Sequence, residues 1–177
     1  FTDENYNREK TLRTMAYTDK VIGEFINNNR QKPWFDNTIF VFISDHSLNI
    51  YSGMYEDPRN AHIPSIIYAP KIIDKPKLVD DFTDQVDIAT TLLHLIGYPL
   101  PFNLMGKNIL SSNYKGFSCR MINDYFMWYE SDFLYKGTLG QENNLYSLSN
   151  LYDFPYLKIL NENKRKKQIQ THFEAYL

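Results

Sequence analysis

The spacing of apolar residues divides the chain into elements. From about Asn5 to Asn29, the residues Leu12, Met15, Ala16, Val21, Ile22, Phe25 and Ile26 recur at intervals of three and four. Arg8, Glu9, Lys10, Arg13, Lys20 and Glu24 fall mostly on the opposite side, so this stretch is predicted to be an amphipathic helix. Asn27-Asn28-Asn29 lowers helix propensity and Pro33 forbids continuation. A different pattern starts at Thr38: Thr38-Ile39-Phe40-Val41-Phe42-Ile43 is a run without alternation that stops at Ser44-Asp45-His46. Such a run reads as a strand buried on both faces, the kind found in parallel sheets covered by helices. Residues 47–61 have loop composition, and the run Ser65-Ile66-Ile67-Tyr68-Ala69, bracketed by Pro64 and Pro70, reads as a second strand. Residues 71–82 are polar loop. Val86 to Ile96 is predicted as a helix, with Asp84 or Asp87 at its start and Gly97 as its stop. An extended crossing over 98–102 and a turn at Met105-Gly106-Lys107 follow.

After Ser111 the periodicity shortens. Phe117–Ile122, Tyr125–Tyr129 and Phe133–Lys136 are aromatic-rich runs broken by Ser131-Asp132 and Gly137. They predict antiparallel strands, with Leu145–Leu148 as a further one. Tyr156–Leu177 closes the chain as a helix with Leu157, Leu160, Ile169, Phe173 and Leu177 on its apolar stripe. The aromatics suit either a covered sheet or the faces of sugar rings; buried aromatics ordinarily serve packing. Lys164-Arg165-Lys166-Lys167 reads as a solvated helix face, with attraction to anionic lipid as the alternative.

Composition narrows the class. At 43% hydrophobic and 23% charged over 177 residues, the chain is globular and long enough for a proper core. A net charge of −2 gives no electrostatic case for binding nucleic acid. The single Cys119 excludes an internal disulfide. No apolar run reaches the roughly 20 residues of a membrane helix, and no signal peptide is visible. Phe1 rather than Met opens the sequence, so the chain is read as processed or incomplete.

The candidate chemistry sits at the end of the first strand run. In open α/β sheets ligands bind beyond the carboxyl ends of strands. A carboxylate beside an imidazole, Asp45 and His46, suits a divalent metal such as Zn²⁺ or Mn²⁺. The alternative is that Asp45 caps the next turn and His46 packs locally. His62 enters the second strand from the long loop; it is either a second site residue, ligating metal or holding phosphate, or a loop histidine with a backbone partner. Asp19 and His94 are read as helix residues with structural roles.

The order of these motifs carries a resemblance. Asn37–His46, His62-Ile63-Pro64-Ser65-Ile66-Ile67-Tyr68-Ala69-Pro70, Asp87-Ile88-Ala89-Thr90-Thr91-Leu92-Leu93-His94-Leu95-Ile96-Gly97 and Met105–Leu110 resemble, in that order, the C-terminal half of the sulfatase-like catalytic domain of the alkaline phosphatase superfamily. Among its members, lipoteichoic acid synthase-like phosphoglycerol transferases and phosphoethanolamine transferases are the nearest in pattern. The resemblance implies an α/β sheet flanked by helices over 1–110, then a small antiparallel β region and a C-terminal helix over 111–177. It implies a metal-dependent transferase or hydrolase acting on a lipid- or glycan-linked phosphate or sulfate ester, through a covalent intermediate. Asp45 and His46 then map to metal ligands and His62 to a substrate-facing position. The ion would be Mn²⁺ or Zn²⁺, or Ca²⁺ in a true sulfatase. Ser47 and Ala89 stand where the family often has Gly and Pro. No residue here occupies a nucleophile context; Thr90 and Thr91 lie inside the helix, so no catalytic residue is assigned and the chain alone is expected to be inactive. The transferase pattern implies a parent anchored in a bacterial inner membrane with its catalytic domain facing outward. The alternatives are a sulfatase and a non-catalytic α/β interaction module. An exposed sheet edge would favour self-association.

Overall fold

In the computed structural model, residues 3–47, 57–99, 104–149 and 159–177 are described. Two compact units emerge: one from residues 1–43 and 65–76, the other from 44–64 and 77–177. No helix among the described residues is long and apolar enough to cross a membrane.

The first unit begins with α1, Asp3–Asn29. It runs through Asn27 and Asn28 and stops at Asn29, the last of the asparagines, whose side chain donates to the Phe25 carbonyl at 2.7 Å. A 3₁₀ turn, Phe35–Asn37, leads into β1, Phe40–Ile43. Thr38 is not yet strand because its hydroxyl donates to the Trp34 carbonyl and its N–H to that of Phe35. β1 pairs with β2, Ser65–Tyr68, in antiparallel register, Phe40 opposite Tyr68 and Ile43 opposite Ser65. The expectation of a parallel strand buried on both faces is corrected here. A short apolar run specifies affinity for apolar neighbours but not the direction of its partner. Burial is concentrated at the start of β1, where Phe40 packs against Phe35 at 5.0 Å between ring centroids, with Phe25 and Tyr68 also around it. Toward the other end, Ile43 and Ile66 are exposed.

The second unit holds α2, Val86–Leu95, and a four-stranded antiparallel meander: β3 Phe117–Ile122, β4 Tyr125–Glu130, β5 Phe133–Thr138 and β6 Asn144–Ser147. Two-residue turns join β3 to β4 and β4 to β5, with Asn123 and Ser131 at positive φ of 56° and 52°. β4 is buried on both faces. Phe126 and Trp128 join Tyr135, Leu145, Ile169 and Phe173, while Met127 and Tyr129 join Leu134 and Leu148. The first set is the face covered by α3, Asn163–Tyr176. The aromatics are therefore core, as packing considerations favoured. α3 begins later than its sequence pattern suggests. Ile159 bridges Tyr146, and the Leu160 N–H donates to the Leu145 carbonyl, so this stretch extends the edge of the sheet instead of coiling. The expected helical residues 156–158, most of the loop over 47–61 and the crossing at 100–102 lie outside the described residues.

A buried carboxylate anchors α2. Asp87, in its first turn, accepts the Lys107 N–H at 2.7 Å on Oδ1, and on Oδ2 the Asp84 N–H at 3.0 Å and the Tyr114 hydroxyl at 2.8 Å. It thus caps the helix start and also ties it to the Met105-Gly106-Lys107 turn. Thr91 reinforces the same link by accepting the Ile109 N–H at 3.1 Å. Gly106 is required by close approach: a Cβ there would lie 2.1 Å from the Val86 carbonyl oxygen. At the other end, Gly97 takes φ +66° and the Tyr98 N–H reaches back to the Leu93 carbonyl, a helix stop of the kind its position predicted.

Candidate metal centre

Asp45 and His46 follow β1 directly and are both well exposed, with side chains 88% and 76% accessible. The Asp45 carboxylate accepts the His46 N–H on Oδ1 at 2.9 Å, which folds the turn so that Oδ2 lies 3.6 Å from the His46 Nε2. The His46 Nδ1 lies 3.0 Å from the Ser47 carbonyl. Because a carbonyl only accepts, Nδ1 is the donor there, so a neutral His46 ring carries its lone pair on Nε2, the nitrogen that faces the carboxylate. This is the tautomer of a metal-ligating histidine whose far nitrogen is oriented by a backbone carbonyl. The donor chemistry therefore fits a divalent cation, with one carboxylate and one imidazole supplied from adjacent residues.

The turn is held from two sides. Ser47 Oγ donates to the carbonyl of Asn60, which is fully buried. Asn60 closes a 3₁₀ turn, Pro58–Asn60, capped by Asp57. The Asp57 carboxylate, itself fully buried, accepts the Arg59 N–H and both Nε and Nη2 of its guanidinium, a bidentate pair at 2.9 and 2.6 Å. On the other side Gln85 Nε2 donates to the Ser44 carbonyl at 3.0 Å and to the Asp45 carbonyl at 3.3 Å.

His62 is exposed on the segment entering β2. No group of three or more His, Cys, Asp or Glu side chains able to hold a metal occurs among the described residues, so His62 does not join Asp45 and His46 in such a cluster. His94 has the structural role read for it, with Nδ1 bonded to the Thr90 carbonyl at 2.9 Å. Thr90 and Thr91 are buried and bonded to the backbone of residues 87, 106 and 107. Sequence reasoning missed Gln85. Its one available signal was a glutamine at a helix start, where Ser, Thr, Asp or Asn is the usual choice. Beneath α2, burial and the neighbouring Asp87 carboxylate hold the Tyr114 phenol well above its ordinary range. Burial, aided by Asp84, pushes the Cys119 thiol up to about 11.

Residues 1–98 match the family model described as Sulfatase. Arylsulfatase K of dog is 36% identical over 102 residues, covering 54% of this chain and 18% of that protein. The rat protein of the same name is 34% identical over 121 residues, covering 60% of this chain and 21% of its own length. The chain thus spans about a fifth of the curated relatives it matches. A crystal structure of an alkaline phosphatase superfamily protein from Vibrio parahaemolyticus superposes with a TM-score of 0.69 at 23% identity, covering 90% of this chain and 40% of that one. That likeness establishes the α/β fold.

Proposed function

The chain belongs to the sulfatase family, and from that premise we propose that it contributes Asp45 and His46 to the divalent-metal centre of a sulfuric ester hydrolase. The observation that carries this reading is the placement of Asp45 Oδ2 and His46 Nε2 3.6 Å apart on an exposed turn, while Asp45 Oδ1 and His46 Nδ1 are engaged by the backbone. The arylsulfatase relatives favour sulfate esters as the substrate class. A divalent ion bound there supplies Lewis-acid polarisation of an anionic ester oxygen. The chain's own residues orient the donors: Ser47 fixes the imidazole through its carbonyl, and the Asp45–His46 backbone contact fixes the carboxylate. The nucleophile is not among these residues and is expected elsewhere in the whole protein.

A second reading is favoured by one observation. Calcium prefers an all-oxygen ligand shell, whereas an imidazole donor suits Zn²⁺ or Mn²⁺. The His46 ring therefore supports phosphoglycerol or phosphoethanolamine transfer from a lipid-linked donor, in a membrane-anchored parent, as the alternative chemistry.

Isothermal titration of the purified chain with MnCl₂, ZnCl₂ and CaCl₂ tests the metal assignment. Binding that disappears in Asp45→Ala and His46→Ala supports it; equal heats in wild type and both variants overturn it. Assays of the whole protein on 4-methylumbelliferyl sulfate and on a phosphodiester separate the two chemistries. The isolated 177 residues are expected to turn over neither.

A further inference from the structure

We infer that Gln85 is a positioning residue for the metal centre, clamping from α2 the turn that carries Asp45 and His46. This inference deepens the proposed function and rests on it. Three observations support it. Gln85 stands at the N-cap of α2 but makes no side-chain cap bond, so helix capping does not account for its side chain. The side chain instead spans about 40 residues of sequence to reach two successive carbonyls, those of Ser44 and Asp45. Those carbonyls lie just past the last β1–β2 ladder pair, Ile43 opposite Ser65, where the sheet no longer directs the backbone. The amide orientation follows from the partners, since an oxygen at that position would face two acceptors.

The clamp is mounted on a rigid base. Two residues further along, the buried Asp87 fixes the first turn of α2 to the Lys107 N–H and to Tyr114, so the Gln85 backbone has little freedom. Ser47, bonded to the Asn60 carbonyl, holds the opposite end of the turn. Between these two fixings the Asp45 carboxylate and the His46 ring point from a backbone segment four residues long. Gln85 touches neither side chain. It sets the carbonyl plane of Asp45 and hence the direction in which both donors leave the chain. A group bonded directly to a ligand side chain typically changes metal affinity about tenfold to a hundredfold. A clamp acting through the backbone should change it less, about threefold to tenfold, the value of one hydrogen bond of ordinary net strength.

Gln85→Met tests this, because methionine keeps the length and flexibility of glutamine and removes only the donors. Titration of the full ¹⁵N-labelled chain with MnCl₂, followed through paramagnetic broadening of the Asp45 and His46 amide signals, reads affinity at the site itself. Support requires that Gln85→Met raise the apparent Kd for Mn²⁺ about threefold to tenfold, that the His46 amide exchange with solvent faster, and that amides of α2 and of β3–β6 be unchanged. An unchanged Kd, or unchanged exchange at His46, overturns the inference. If exchange rises across α2 as well, Gln85 acts on helix stability and the positioning role is likewise refuted. A wild-type chain that shows no broadening at Asp45 or His46 removes the metal centre itself, and the clamp's purpose with it. That outcome is distinct from a wild type that binds Mn²⁺ no better than Gln85→Met.

Discussion

The anchoring of α2 by Asp87 gives the sharpest energetic prediction. Alanine at position 87 removes the acceptor for two backbone N–H groups, those of Asp84 and Lys107, and for the Tyr114 hydroxyl. The hydroxyl retains a partner, since the Phe82 carbonyl lies 2.9 Å away. Two backbone donors are therefore stranded, and because the setting is only partly buried each costs about 1–2 kcal/mol, the lower part of the range for a lost partner. The expected loss for Asp87→Ala is about 2–4 kcal/mol, against a total stability on the order of 5–15 kcal/mol. Asparagine separates the contributions. Its oxygen can take the place of Oδ1 opposite Lys107, while its amide faces Tyr114, whose oxygen accepts as its hydrogen turns to Phe82. Only the Asp84 N–H then loses its partner, so Asp87→Asn should cost about 1–2 kcal/mol. Urea unfolding followed by circular dichroism at 222 nm measures both, with a constant denaturant slope as the control for comparable unfolding. The reasoning fails if alanine costs less than about 1 kcal/mol, or if asparagine is as damaging as alanine.

Glycines offer a contrast of sign. Gly106→Ala drives a Cβ into the Val86 carbonyl and the Asp87 Cα, fixed backbone at 2.1 and 2.8 Å, and should cost at least about 3 kcal/mol; Gly23→Ala meets nothing within 4 Å on exposed α1 and should gain about 0.5–1 kcal/mol. Thermal melts of the two variants should move in opposite directions. Stability should also fall at alkaline pH. Cys119 and Tyr114 hold their protons in the fold to higher pH than their ordinary values of 9.0 and 10.0, so above those values the unfolded chain binds fewer protons than the folded one. Their contribution is intact below pH 9.0; the Cys119 part is lost between there and about 11, and Cys119→Ala should delay the onset of the decline in melts at stepped pH. Glu130 accepts both the buried Trp128 indole N–H at 3.0 Å and His172 Nδ1 at 2.9 Å. Glu130→Ala should therefore cost about 1–3 kcal/mol and Glu130→Gln, which keeps an acceptor, less, by urea unfolding. Finally, Leu12, Met15 and Phe25 on α1 and Ile66 on β2 are exposed apolar side chains within one unit. Light scattering should show mass rising with concentration, and a constant monomer mass would count against self-association through that surface.

The legible parts of the sequence were those with local signals. α1, α2 and the four strands of the meander lie close to where periodicity and turn residues put them, because local stop and turn residues bound each of them; the apolar stripe read on α1 is nonetheless largely exposed, at Leu12, Met15, Val21 and Phe25. Partner direction was not legible. Phe40–Ile43 reads the same whether its neighbour runs parallel or antiparallel, and only the pairing with Ser65–Tyr68 decides. Asp45 and His46 stood out by chemistry at a strand end, but their mutual geometry depends on the Ser47 carbonyl, which no pattern encodes. Gln85, Tyr114 and the full role of Asp87 were hidden for the same reason: their partners lie between 20 and 41 residues away, beyond any helical or strand period.

β4 leads to a conclusion about how this part of the sequence can drift. Most strands are kept in alignment by the contrast between their two sides, since a slip of one residue would present polar groups to the interior. Phe126, Met127, Trp128 and Tyr129 offer no such contrast; both sides are apolar and both are covered. The instruction that fixes alignment must then be written at the ends of the strand, in the two-residue turns at Asn123-Asp124 and Ser131-Asp132, where a single positive φ sets which residues face each other. Large hydrophobic residues can trade places along β4 over evolutionary time without losing the alignment. The two short corners, carrying almost none of the buried surface, are the positions that lineages of this domain have least room to lengthen.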